Sequence, residues 1–146
     1  MKIPFVDKWR DRRPGSHGQG LARVFEDDPG AVAELFAECE LLRAQASGVG
    51  LELDDTAASL TALDQLLPRW RDDPEALPWL GNDAGLYLGT VIIRTVPGAS
   101  WWVWPGGRPV VRLASGREIP VVEAGLEWAV HGSPGLSQVY AEAAEF

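Results

Sequence analysis

The sequence predicts a single α+β domain, with about five helices packed on a small three-stranded antiparallel meander. Three observations predict it. Apolar residues recur at helical spacing over several stretches on either side of the chain's middle. Two short β-branched or aromatic runs with glycine turns lie between Trp101 and Ile119. A length of 146 residues with 46% apolar content suits one buried core.

Taking the elements in order, residues 1–20 are expected to form a mobile basic segment, and 21–146 the folded domain. The segment holds Pro14, Gly15, Gly18 and Gly20 among charges. Asp28 suits an N-cap and Pro29 a first helical position, and Val32, Leu35, Phe36, Cys39 and Leu42 follow as one stripe until Gly48 and Gly50. Residues 49–53 are expected to be extended. Asp55 or Thr56 caps the next helix, with Leu60, Leu63, Leu66 and Leu67 inward and an end or kink at Pro68. A polar connection is expected over 69–82.

The spacing also predicts a helix over 83–94, with a strand as the alternative because Val91, Ile92 and Ile93 are β-branched. Gly85 and Gly89 would give it one smooth face that another backbone can approach. Strands are expected at 101–104, 109–113 and 117–119. Pro120 opens a helix with Val122, Gly125, Leu126 and Ala129 on one side, ended by Gly132. Ser133 and Pro134 would start the last helix, with Leu136, Val139, Tyr140 and Ala143 inward.

Charge narrows the function classes. The formal net charge is −8. Lys2, Lys8, Arg10, Arg12 and Arg13 face only Asp7 and Asp11 in the first twenty residues, so that segment carries +3 and the remainder −11. An acidic body repels phosphate backbones, so nucleic acid is not expected as a ligand. Neither an apolar signal core nor a run near the ~20 residues that cross a bilayer is visible, and the expected location is the cytoplasm without stable membrane insertion. Cys39 is the only cysteine, which rules out an internal disulfide and points to a buried small hydrophobe.

Catalytic constellations are not visible in the sequence. It shows no phosphate-binding glycine loop, nucleophile elbow or zinc spacing, so no catalytic residue, metal site or cofactor is expected. The acid pairs Asp54-Asp55 and Asp72-Asp73 stand where helices need caps, and His131 stands near a helix end. Seven tryptophans are many for this length, and most are expected in the core.

Two groups of residues are candidates for binding. Trp70, Asp73, Trp79, Asn82, Asp83 and Tyr87 lie in and around the 70–87 loop, where aromatic and polar side chains commonly build contact surfaces. Trp101 and Trp102 lie on a strand with Trp104, near Arg94, Arg108 and Arg112. Successive strand side chains point to opposite faces, so these rings cannot all enter one core. An exposed Trp beside Arg suits protein contact or stacking on a planar ligand.

The string Gly81 to Arg94, with Trp102, Arg108 to Leu113 and Gly116, resembles a family of small uncharacterised actinobacterial proteins, a domain of unknown function. Glu38 to Arg43 and Leu63 to Leu66 extend the resemblance over about residues 25–145. More loosely, Gly85-x-Tyr87-Leu88-Gly89 before a Trp-bearing strand is similar to bacterial immunity-type proteins, with Thr90 standing where an acid is often found. The resemblance implies an α+β layout and no site residues.

The first functional reading is a non-enzymatic interaction module that binds another protein, an immunity-like partner of a basic protein being one version. The second is a small-molecule domain whose Trp rings and Arg94 or Arg112 form a pocket for an anionic or planar ligand. The third is a hydrolase using Asp73 and Asp83 as paired carboxylates.

Overall fold

A computed structural model describes residues 17–145. Most of the segment expected to be mobile, residues 1–16, lies outside the described residues, as does residue 146. Helix α1 (His17–Asp27) begins inside that segment and contributes Leu21 and Phe25 to the core.

Helix α2 (Pro29–Glu38) starts where Asp28 and Pro29 place it, with the Asp28 carboxylate accepting the Ala31 N–H at 3.1 Å. The expected single stripe to Gly48 is broken. Cys39 adopts φ 41° and ψ 46°, in the left-handed region, and a separate helix α3 (Glu40–Gly48) follows. The apolar stripe hides this break, because Val32, Phe36, Cys39 and Leu42 are all buried on both sides of it. Residues 49–53 pair with no strand.

Helix α4 (Ala57–Trp70) is capped by Thr56, whose side chain accepts the Ser59 N–H. It runs through Pro68 to Trp70 rather than ending at Pro68. Only its final turn follows the proline, so a single ladder bond is lost and buried Trp70 anchors the end. The polar connection is correspondingly shorter. Asp73 accepts N–H bonds from Glu75 and Ala76, and this turn leads directly into α5 (Leu77–Thr95).

Helix α5 is the axis of the fold. Its residues are buried almost all round from Leu80 to Ile92, the pattern of a helix covered on every side. It packs against α2, α3 and α4, the sheet and both C-terminal helices. The expected helix at 83–94 is therefore present and extends six residues further toward the N-terminus.

Strands β1 (Ser100–Val103), β2 (Pro109–Arg112) and β3 (Glu118–Ile119) form an antiparallel sheet in the order β1-β2-β3, with Trp101 opposite Val111 and Trp102 opposite Val110. Its inner face buries Trp101, Val103, Val111 and Ile119. Val111 and Leu113 are buried and Arg112, between them, points outward.

Helix α6 (Val121–His131) buries Val121, Gly125, Trp128 and Ala129, and the αL residue Gly132 ends it. Leu126, expected inward, is exposed because the fully buried Trp128 sets the helix rotation. The glycine face on α5 meets α6: a Cβ at Gly85 would lie 2.6 Å from Val122 Cα, and one at Gly125 2.8 Å from Gly85 Cα. Gly89 serves a different contact, for a Cβ there would run into the Trp101 ring, 2.8 Å from its Cζ2 and closer still to its Cη2.

The last helix, α7 (Leu136–Ala144), starts two residues later than Pro134, with Gly135 as N-cap. Its start is fixed from outside. The Asp64 carboxylate on α4 accepts Leu136 N–H at 2.8 Å and Ser137 N–H at 3.2 Å. Thr95 and Tyr140 hydroxyls, 2.7 Å apart, fasten α7 to the end of α5.

Candidate functional site

The structure separates the two sets of candidate residues. In the first set, Trp70 is buried, Trp79 is half-buried, and Asp73 is an exposed turn residue. Asn82, Asp83 and Tyr87 lie on α5, not on a loop. Only Asn82 keeps partial exposure; Asp83 and Tyr87 are core residues. This corrects the expected contact surface: once α5 begins at Leu77, Asp83 and Tyr87, one turn apart, face the interior together.

Their polar groups are used inside. Asp83 Oδ2 accepts the Leu42 N–H at 3.1 Å, which satisfies a donor at the start of α3. The Cys39 thiol has the carbonyls of Phe36 and Asp83 within reach, at 3.2 and 3.4 Å, as acceptors for its one proton. Burial, followed by the charge of Asp83, raises the thiol pKa well above its ordinary value, so the group is an inert filler. The Tyr87 hydroxyl accepts the Asp55 N–H at 2.9 Å and lies 2.6 Å from Ser59 Oγ. Ser59 gives its one proton to the Thr56 carbonyl, which leaves Tyr87 as donor in that pair.

Arg43 closes this polar knot. It donates to the carbonyls of Ala37, Glu38 and Leu53 and to Asp55 Oδ1, and its guanidinium lies 5.3 Å from the Tyr87 ring centroid. Asp55, with φ 64°, also pairs with Arg94 at 3.1 Å. Sequence reading missed Arg43, Ser59 and Asp64. No local signal marks them, because their partners are distant in the chain or are bare carbonyls.

Asp83 titrates in an unusual range. Burial raises its pKa from 3.8 to about 6, against the opposing pull of the Leu42 and Leu41 N–H groups. The folded state therefore holds this proton more tightly than the unfolded chain. The resulting stability is fully present below pH 3.8 and is lost as pH rises through about 6. Asp83→Asn keeps an acceptor for Leu42 without the buried charge. The expected result is that the stability of the variant relative to the parent rises between pH 4 and pH 7.5 by about 2–3 kcal/mol, roughly two pKa units at 1.36 kcal/mol each. The rise should be complete above pH 7 and absent below pH 4. Urea melts from pH 4 to 8 check this, and parallel profiles for the two proteins would refute it.

The second set is divided by the sheet. Trp101 enters the core edge-on to Phe36, with centroids 4.8 Å apart. Trp102 lies on the opposite face and is 39% exposed. The Arg112 guanidinium sits 4.2 Å from its ring centroid, and Phe25 of α1 meets it edge-on. Glu118 links this pair to the next: Oε2 accepts from Arg112 at 2.7 Å and 3.0 Å, and Oε1 accepts Trp104 Nε1–H at 3.0 Å. These bonds, the Arg112 ones first, hold the Glu118 pKa below its usual value. Arg108 lies over Trp104 and pairs with Glu123. The outer face thus carries two Trp–Arg stacks joined through one carboxylate.

Arg94 belongs to neither stack. It lines a separate groove with Trp101 between α2 and α5. Asp73 and Asp83 have separate structural tasks, one in an exposed turn and one in the core, and do not form the carboxylate pair of the third reading. Among the described residues, no group of three His, Cys, Asp or Glu side chains could hold a metal ion, and no helix is long and apolar enough to cross a membrane.

The fold and this face define a small α+β domain in which a glycine-lined central helix is enclosed by other helices and a three-stranded antiparallel sheet. The chain belongs to the family of unknown function DUF6278, whose model matches residues 1–146. No curated protein matches the chain, and no solved structure matches it. The comparisons give no support to the actinobacterial and immunity-type resemblances.

Proposed function

We propose that the chain is a non-enzymatic interaction module that docks a protein partner on the outer face of its sheet. The observation carrying this reading is Trp102, a large ring left 39% exposed while Arg112 and Glu118 hold its surroundings in place. Trp and Arg dominate binding energy at protein interfaces, and a ring fixed before binding loses little freedom on contact. Net charge −8 favours a basic partner by steering its approach. The reading places the protein in the cytoplasm, where a lone thiol such as Cys39 stays reduced.

Trp102→Ser tests it. Affinity capture from the native host, quantified by mass spectrometry, is expected to recover a partner with the parent protein. The variant should bind it at least 30-fold more weakly, the scale of a hot-spot loss of about 2 kcal/mol. Thermal melts should show the variant still folded. Equal recovery by both proteins, or no protein enriched by the parent, would overturn the proposal.

A further inference from the structure

The solvent side of α6 carries a row of apolar side chains. Among the described residues, the exposed large apolar ones are Val24, Val49, Trp102, Leu126 and Val130. Only Leu126 and Val130 stand four residues apart on one helix, 36% and 55% exposed, and half-buried Val122 continues the row one turn earlier. Scattered exposed apolar residues are ordinary, whereas three in register on one helix make a contiguous patch. The row runs along the seam between α5 and α6, since a Cβ at Gly81 would lie 3.1 Å from Leu126 Cα.

The rim of the row is acidic. Glu127, three residues before Val130, is exposed and has no cation paired with it among the described residues. Glu123 is paired with Arg108 and so contributes little. At the other end, Arg71 donates to the Val130 carbonyl at 2.8 Å, which brings the turn after α4 against the row. That turn carries Asp72, Asp73 and Glu75, all exposed and, among the described residues, none paired with a cation. Asp73 accepts backbone N–H bonds there and keeps its charge. Arg71 thus sets one positive charge against four negative ones, a local balance of −3.

A helix face offers side chains and no free backbone groups. An extended segment laid on it would leave unpaired the N–H and C=O groups it buries, whereas a helix keeps those bonds inside itself. We infer that the α6 row docks a basic amphipathic helix of a partner protein, with its apolar face on Val122, Leu126 and Val130 and its Lys or Arg side chains on Glu127, Asp72, Asp73 and Glu75. The row and Trp102 lie on different elements, so this inference stands apart from the sheet-face reading.

The probe is a fluorescein-labelled peptide of about 14 residues, four helical turns, with leucines on one face and lysines on the other. The comparison peptides are the same residues scrambled so that no face forms, and the patterned peptide with glutamates in place of lysines. Fluorescence anisotropy with the full chain is expected to show the patterned Leu/Lys peptide binding at least about tenfold tighter than either comparison. Leu126→Ser and Val130→Ser should each weaken it about tenfold, the scale of one lost anchor. Glu127→Lys should weaken it and improve binding of the Leu/Glu peptide. Trp102→Ser and Val24→Ser should leave it unchanged, which separates this surface from the sheet face. Circular dichroism establishes that each variant is folded, and Val130→Ser, at the more exposed position, carries the test should Leu126→Ser fail to fold. The inference is overturned by absence of binding at about 0.1 mM peptide, by a scrambled peptide that binds as tightly, or by affinity unchanged in both serine variants. It is also overturned if a peptide of residues 1–16 displaces the Leu/Lys peptide and binds more tightly, because the row would then receive this chain's own basic segment.

Discussion

Gly125→Ala is expected to destabilise the protein by at least about 2 kcal/mol, although alanine is the better helix former. The reason is backbone against backbone. A Cβ at Gly125 would meet Gly81 O and Gly85 N, and would lie 2.8 Å from Gly85 Cα. No side chain can rotate away, so α5 and α6 must separate. That separation loosens the packing of Trp128 and Ala129, both fully buried beside it. The gain of about 1 kcal/mol in helix propensity only partly offsets this. At roughly 3 °C per kcal/mol for a chain of this size, the melting temperature should fall by about 6 °C or more. Gly20→Ala is the control. A Cβ there meets nothing within 4 Å, so the same change in α1 should hold or raise the melting temperature. Equal behaviour of the two variants would show that the close helix contact is not where the structure places it.

This contact was legible in part because its cause is local. Gly85 and Gly89, four residues apart, announce a face that another backbone can approach, and Gly85 meets α6; Gly89 instead takes the Trp101 ring, and Gly81 lies in the stretch expected as a polar connection. Asp28 before Pro29 was legible for the same reason, since a cap and its helix are adjacent in the chain. The α+β layout and the order of the strands followed from such short-range signals.

What could not be read depends on partners far along the chain. The break at Cys39 lies within an unbroken apolar stripe, and its compensation comes from Asp83, forty-one residues beyond Leu42. Asp83 itself looked like a surface residue beside Asn82. Its burial follows from α5 beginning at Leu77, which no capping side chain announces. The signal that could have found it was the nearly uncharged run from Leu77 to Ile93, in which Asp83 is the one acid. A single carboxylate in an otherwise apolar helix is more economically read as a buried, hydrogen-bonded group than as a contact point.

The candidate site was legible to the degree that strand alternation governs it. Trp101 and Trp102 had to face opposite ways, and they do. Which of them would be exposed depended on packing by Phe36 and Gly89, which alternation does not encode. Arg94 was grouped with the sheet arginines by nearness in sequence. Its helix instead directs it to Asp55 and the α2 groove.

Asp64→Leu is expected to cost about 3 kcal/mol and to release α7 before the rest of the fold. Asp64 joins α4, α6 and α7 through four hydrogen bonds. Oδ1 accepts Trp128 Nε1–H and Leu136 N–H, each at 2.8 Å, and Oδ2 accepts Ser137 N–H at 3.2 Å and Ser137 Oγ–H at 2.6 Å. Leucine leaves the Trp128 N–H without its acceptor, and Trp128 is fully buried, a loss of about 1–3 kcal/mol. Removing the cap from α7 adds about 1 kcal/mol. Gly135 shows how closely the carboxylate is seated, since a Cβ there would lie 2.8 Å from Asp64 Oδ2. Asp64→Asn should fall between the two, because its amide oxygen can replace Oδ1 and the Ser137 hydroxyl can turn to accept from its NH2, but the Ser137 N–H would lose its acceptor. Hydrogen exchange should show Leu136 to Ala144 losing protection in Asp64→Leu while α5 keeps it. Retained protection in α7 together with an unchanged melting temperature would mean that the helix is held by Leu136, Ala143 and the Thr95–Tyr140 bond alone, and that the carboxylate is incidental to it.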